Sequence, residues 1–308
     1  MIHNNHNKIN STQDAFNLLK IKSNLLSNKQ KKHLHDNGYL VLESTKFLRN
    51  NLGKLRREVN RLIKKEGVLG GWDGKRQFYK KGKMFDPGTN RLGNLIEKNK
   101  IFADLITIPE LLLGAKEVIG NNIKVCGLNL REPIKGDGEQ KIHIDWKPRK
   151  NKKEKYSGVV CMIHLDNSTK QNGSTRIIPK SHKKLGWPGE HINIYKKSKH
   201  EIRPVIKAGS IVIVNLNLWH AGSTNISGKN RRMIMVNIKR RGLPQLLNYK
   251  KFLSKKTKNK LNEVQKYLLA IRNSDKTQKK NSIGVGNYYK GDFFICSGGQ
   301  RRQNKSWH

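Results

Sequence analysis

The chain reads as a mainly β domain, a barrel or sandwich, with helices packed ahead of it in sequence. Two observations predict this. Short β-like runs follow one another at 123–131, 141–146, 157–165, 175–179, 201–205, 210–216 and 233–239, punctuated by Gly, Asn, Asp and Pro. Short strands separated by turn signals belong to barrels and sandwiches, not to parallel α/β folds. Upstream, apolar residues instead recur at helical spacing, so the fold class is α+β with the helices flanking a sheet.

Taken in order, residues 1–23 form a loose polar leader. A short polar helix is expected over 29–37, then a strand at 38–42 (Gly38-Tyr-Leu-Val-Leu42). Leu48, Leu52, Leu55, Val59 and Leu62 share one helical face and predict an amphipathic helix against a sheet. Residues 67–74, which include Trp72, read as a turn-rich loop. A second helix is expected over 109–119, since Pro109 suits a first turn and Gly120-Asn121 supply a stop. Beyond the strands, residues 242–308 form a basic, partly helical C-terminal extension. Its stretch 239–260 is dense in lysine and lacks any acid, and apolar residues thin out after Asp275 apart from Tyr288, Tyr289 and 293–296. The main domain is thus expected over 24–241.

Composition bounds the function. The 308 residues include 64 Lys and Arg against 22 Asp and Glu, a formal net charge of +42. Such an excess attracts nucleic acid, anionic surfaces or phosphorylated substrates; the plainer alternative is a lysine-rich, solvated surface. No apolar run is long enough to span a bilayer, so no membrane partner is expected. Cys126, Cys161 and Cys296 are odd in number and widely spaced, which gives neither a disulfide framework nor a CxxC metal site. A reducing, cytoplasmic setting follows as the expectation.

The chemistry centres on His143-Ile-Asp145. Alternate residues of a strand share a face, so a His and an Asp two apart can reach one metal ion. His220 follows a later strand. Two imidazoles and one carboxylate on one side of an octahedron leave adjoining positions open, as non-haem iron oxygenases require. With 11 histidines in the chain, an HxD pair means little alone. Arg231 adds weight: it lies eleven residues past His220 at the start of an apolar strand, and a guanidinium entering a sheet needs an anionic partner. A bidentate carboxylate contact would meet that need.

These pieces resemble the phytanoyl-CoA dioxygenase family of 2-oxoglutarate oxygenases. The resemblance runs from about Asn24 to Arg241. It rests on Leu26-Ser-Asn-Lys-Gln, Asp36-Asn-Gly-Tyr-Leu-Val-Leu42, the His143-x-Asp145 pair, Leu165-Asp166, Asn172-Gly173, Pro179-Lys-Ser-His182, and Gly209-Ser-Ile-Val-Ile leading to His220, Asn225 and Arg231. It implies a double-stranded β-helix of the cupin-like jelly-roll type, with His143, Asp145 and His220 as Fe(II) ligands and Arg231 on the far carboxylate of 2-oxoglutarate. O2 would be the oxidant and ascorbate an optional reductant, with succinate and CO2 released. Two positions depart from the family pattern: Lys180 stands where glycine is usual, and Met162 where some members carry tryptophan. Asp145 is intact, whereas related halogenases replace it with a small residue, so hydroxylation is expected.

The substrate is expected to be a small organic molecule. The segment 146–155 carries six basic residues and one acid directly after the metal pair, which reads either as recognition of an anionic group or as a mobile solvated loop. His164, His182, His191 and His200 read as structural or exposed. Arg176, Asn129 and Arg131 face either pocket or solvent. Two competing classes remain: a zinc-dependent cupin isomerase or lyase, which leaves Arg231 without a role, and a nucleic-acid-associated protein using the basic tail. Oligomeric state is not legible.

Overall fold

The structure, a computed structural model, describes residues 9–67, 79–80, 83–84 and 88–275. Most of the 67–74 loop with Trp72, residues 1–8, and the tail from 276 with Tyr288, Tyr289 and Cys296 lie outside the described residues. The helices are α1 (Thr12–Leu18), α2 (Asn28–Asn37), α3 (Lys46–Glu66), α4 (Leu95–Lys98), α5 (Lys100–Leu105), α6 (Pro109–Ile119), α7 (Tyr249–Phe252), α8 (Lys255–Lys260) and α9 (Glu263–Leu268). The strands are β1 (Tyr39–Leu42), β2 (Tyr79–Lys80), β3 (Lys83–Met84), β4 (Thr89–Leu92), β5 (Ile123–Pro133), β6 (Gly158–His164), β7 (Arg176–Ile177), β8 (Ile211–Asn215), β9 (His220–Ala221) and β10 (Met233–Arg240).

One antiparallel sheet dominates, in the order β1-β8-β6-β10-β5-β4. Its central strands β8, β6, β10 and β5 are buried almost throughout, so they read as largely apolar runs. Alternate residues nonetheless divide cleanly between two cores. Cys161, Ile163, Ile211, Ile213, Ile234, Val236 and Ile238 point outward into a helix-covered core, whereas Val160, Met162, Val212, Val214, Met233 and the half-buried Met235 point inward. A smaller sheet, β7 paired with β9, is widened by single bridges His143↔His220, Ile177↔Ile202 and Ser168↔Ile206. The inner core shared by the major sheet and this minor sheet includes Ile177 and Ile206.

The helices form for local reasons. Pro109 begins α6 and Gly120 follows its last residue, while Thr45 caps α3 through Leu48 N. Helix α6 lies against the outer face at Gly114, where a Cβ would come within 2.1 Å of Ile213 Cδ1. A larger residue there would require the Ile213 side chain to shift.

Several expectations change. Residues 9–23 are not a loose leader. Ser11 and Asp14 build a capping box for α1, Ile9, Ala15 and Phe16 enter the outer core, and Thr12 Oγ1 lies 3.1 Å from Tyr267 Oη. Residues 243–275 likewise join that core through Leu247, Tyr249, Tyr267 and Leu268. The 141–146 and 201–205 runs form single bridges rather than ladders, and 141–146 bends at 142 and 145–146. Strand β4 and helices α4 and α5 were not expected, since Thr89-Asn-Arg-Leu92 and the polar residues around Asn94 and Asn99 resemble a loop.

Candidate active site

The cluster is assembled by three backbone hydrogen bonds. His143 N donates to His220 O at 2.9 Å, His220 N to His143 O at 3.0 Å, and Asp145 N to Leu216 O at 2.9 Å. These join two segments far apart in sequence and set all three side chains at one point. A ligand atom from each of His143, Asp145 and His220 lies within 4.8 Å of the others. Asp145 bridges the pair, with Oδ1 3.7 Å from His143 Nε2 and Oδ2 3.6 Å from His220 Nε2.

The tautomers are set by the backbone. His143 Nδ1 donates to Lys141 O and His220 Nδ1 to Leu218 O, each at 2.9 Å. With the proton on Nδ1, each Nε2 lone pair faces Asp145, which is how second-layer carbonyls prepare metal-binding imidazoles. Burial, and then neighbouring His220, push the pKa of His143 down to about 4 against the pull of Asp145. Its ring is therefore neutral near pH 7, as metal binding demands. Trp146, directly after Asp145, packs into the inner core, and Lys239 Nζ sits 3.2 Å from its ring centroid. That cation–π contact helps to seat the Asp145 segment.

Arg231 lies beside Met233, close enough to His164 to act on its charge. It is 1% exposed. Nη1 reaches only Met233 Sδ at 4.0 Å, and Nε and Nη2 have no hydrogen-bond partner. Burial, then Arg131 and Arg91, push its pKa down to about 9, with Glu132 opposing them. A buried guanidinium without a partner costs several kcal/mol on the order-of-magnitude scale for isolated charges, a cost that an anion placed against it would offset. Nearby, a small enclosed cavity is lined in part by Met162, His164, Ser168, Thr175, Ile177 and Val212. Within its walls, His164 Nδ1 and Ser168 Oγ are also buried and unpartnered. Burial first, then Arg231, hold the His164 pKa down at about 3, so its ring is neutral.

The remaining residues sort by environment. Asn129 lies inward beside Met235 with both amide atoms buried and unpartnered. Arg131 is buried and donates to Gly138 O at 3.0 Å. Arg176 is buried between Glu139 at 2.8 Å and Glu201 at 3.4 Å, so it ties segments together instead of meeting substrate. His182 is buried with Nε2 donating to His35 O at 3.0 Å, while His191 and His200 are exposed. Among the described residues none of these joins the metal-capable cluster. Ser168 escaped sequence reasoning entirely. His164 could have been flagged by its parity, two residues beyond the inward Met162 on one strand.

Lys180, at the position where a glycine was expected, has φ +67°. The departure therefore places a lysine in left-handed backbone that glycine adopts without strain.

Comparisons with known proteins agree with this architecture. The family model described as Phytanoyl-CoA dioxygenase (PhyH) matches residues 34–233. Uncharacterized proteins of Mycobacterium bovis and Mycobacterium tuberculosis are 29% identical over 93 residues, 30% of this chain and 33% of theirs. The match thus spans about a third of the length of those relatives. Among solved structures, HygX from Streptomyces hygroscopicus with nickel, 2-oxoglutarate and hygromycin B bound superposes with TM-score 0.56 at 14% identity, covering 71% of this chain and 90% of that one. The epimerase SnoN in complex with Fe3+, alpha ketoglutarate and nogalamycin RO gives 0.54 at 12% identity, over 68% and 82%. The carbocyclase SnoK from nogalamycin biosynthesis gives 0.53 at 13%, over 70% and 85%. At these identities the likeness establishes the cupin-like jelly-roll fold. With the family model covering 34–233, the chain belongs to the phytanoyl-CoA dioxygenase (PhyH) family.

Proposed function

We propose that this chain is an Fe(II)- and 2-oxoglutarate-dependent dioxygenase that hydroxylates a small organic molecule, with His143, Asp145 and His220 as the iron ligands and Arg231 as the anchor of the co-substrate. The single observation that carries the reading is Arg231: a buried guanidinium with unpartnered nitrogens, in a fold whose other feature is a two-histidine, one-carboxylate cluster. That donor set suits Fe(II) and leaves positions free for further ligands. Iron held there supplies the oxidising chemistry, consuming O2 and 2-oxoglutarate and releasing succinate and CO2.

The protein's own groups supply position and dryness. Lys141 O and Leu218 O keep the two imidazoles in the tautomer that offers Nε2. Arg231 can give a carboxylate two parallel N–H bonds, and Ser168 Oγ and His164 Nδ1 add polar atoms in the adjoining cavity. Met162, Ile177 and Val212 keep that cavity apolar and exclude water. Asp145 occupies the position that a halogenase would leave to chloride, which favours hydroxylation. The Asp145 side chain is 29% exposed, so substrate approaches from that side. There Lys141 reaches over the exposed Tyr195 ring, 5.5 Å from its centroid, and its positive charge favours a substrate carrying an anionic group.

The test is succinate formation with Fe(II), 2-oxoglutarate and a metabolite panel. His143→Ala should lower the rate at least about a hundredfold, and Arg231→Ala should raise the KM for 2-oxoglutarate by a similar factor while metal binding persists. Unchanged turnover in His143→Ala would sink the assignment. Absent turnover with tight zinc binding would instead favour a zinc isomerase or lyase.

A further inference from the structure

Loop 147–155, whose composition reads either as anion recognition or as a mobile solvated segment, is cross-linked to its surroundings at several points. Arg149 turns inward and donates to Lys152 O at 3.0 Å and to Glu154 O and Lys183 O at 3.4 Å, while its guanidinium stacks 4.4 Å from the Tyr156 centroid. Tyr156 packs on His182, ring centroids 5.6 Å apart, and His182 bonds the carbonyl of His35 in α2. Asn217 Nδ2 donates to Lys147 O at 3.0 Å, fixing the other end of the loop. The loop, the 180–184 turn and the end of α2 are therefore one platform.

What that platform presents is lysine. Lys147, Lys150, Lys152, Lys153 and Lys155 are all exposed on the loop. Lys180, Lys183 and Lys184 are exposed on the adjoining turn. The acids within these segments and α2 are Asp36 and Glu154, and both are engaged: Glu154 accepts from Lys150 N at 2.6 Å, and Asp36 pairs with Lys32 at 2.7 Å and Lys183 at 3.7 Å. Cross-links that hold so many like charges together oppose electrostatic repulsion, and a polyanion would relieve it.

We propose that this platform docks the phosphodiester backbone of a nucleic acid. Three observations favour that partner. The arginine of the loop is committed to carbonyls and Tyr156, so no bidentate fork remains for one discrete phosphate or carboxylate; a row of separate ammonium groups suits a line of repeated charges. None of the large exposed apolar residues among those described lies in 147–155 or 180–184, so there is nothing to insert into a lipid interface. Finally, the +42 net charge supplies long-range attraction to an extended polyanion instead of a compact acidic patch. The inference is independent of the iron chemistry.

The experiment is fluorescence anisotropy with the full chain and labelled single-stranded and duplex oligonucleotides of about 20 nucleotides, over a salt series. Wild type should bind with affinity that falls steeply as salt rises. The combined variant Lys150→Glu, Lys152→Glu, Lys153→Glu should lose at least about tenfold in affinity near 0.1 M salt and flatten the salt slope by about three. The matched variant Lys255→Glu, Lys256→Glu, Lys260→Glu, at three exposed lysines of α8, should stay within about twofold of wild type. Circular dichroism and melting temperature verify that both variants fold. Absent binding by wild type, equal loss in the two variants, or binding to phosphatidylglycerol vesicles in place of oligonucleotides would each overturn the proposal.

Discussion

The sharpest residue-scale test lies in the buried histidines. His182 is held neutral by burial, which lowers its pKa from 6.5 to about 4 against the hydrogen bond to His35 O. In the unfolded chain the same ring binds a proton near pH 6.5. A depressed folded pKa means that the unfolded state takes up protons first, so this stability is complete above about pH 6.5 and is lost as pH falls toward 4. For His182 the loss between pH 7 and pH 5 comes to about 2 kcal/mol. Urea titrations of wild type and His182→Asn at the two pH values should show the wild-type decline shrinking by about that amount; an equal decline in both would remove His182 as its source. A second residue-scale test concerns Lys180 at φ +67°. Lys180→Gly should raise unfolding stability by about 1 kcal/mol, read from urea midpoints, because glycine adopts that backbone without the Cβ clash. At this scale the sequence made the metal-capable trio legible, since HxD parity and a later histidine are local patterns. Ser168 and the closeness of His164 to Arg231 were hidden because each depends on which strand lies opposite, and no single segment records that.

At the scale of elements, helices were legible wherever an apolar stripe and a stop signal coincided, as in α3 and α6. Helix α1 was missed because its stripe is short. Ala15 and Phe16 carry the apolar contact, while Gln13, Asp14 and Asn17 dominate the composition. The Ser11–Asp14 capping box was nonetheless present in the sequence, and capping marks a helix start even where periodicity is weak. The strands show the opposite failure. Residues 141–146 carry the right alternation, but their partner is the two-residue β9, so one bridge and a few hydrogen bonds replace a ladder. The docking of α1 can be tested directly. Phe16 is 3% exposed and belongs to the outer core, so Phe16→Ala should destabilise the chain by about 3 kcal/mol in urea unfolding. A loss under about 0.5 kcal/mol, typical of a surface position, would restore the loose leader.

For the whole molecule, the shape was more legible than the charge. Short β-like runs punctuated by turn residues announced a barrel or sandwich, and the structure sends neighbours such as Cys161 and Met162 into separate cores. A net charge of +42 announces something different: a compact state that repels itself. The acids are too few to neutralise the lysines pairwise, and pairs such as Lys32–Asp36 and Lys100–Asp104 are exposed i,i+4 contacts of small worth. Folding brings charges closer together than in the expanded unfolded chain, so repulsion weighs on the native state more than on the unfolded one. Raising salt shortens the Debye length from about 30 Å at 0.01 M to about 8 Å at 0.15 M and should relieve that difference. The melting temperature of the metal-free protein should therefore rise by several degrees over that range, followed by differential scanning fluorimetry in sodium chloride. Most of the rise should fall below about 0.15 M, because the platform lysines sit closer together than the longer screening lengths. A curve that stays flat, or that falls with salt, would mean that the ion pairs already balance the charge. A rise that continues unchanged toward 1 M would point to a general salting effect on apolar burial instead of screening.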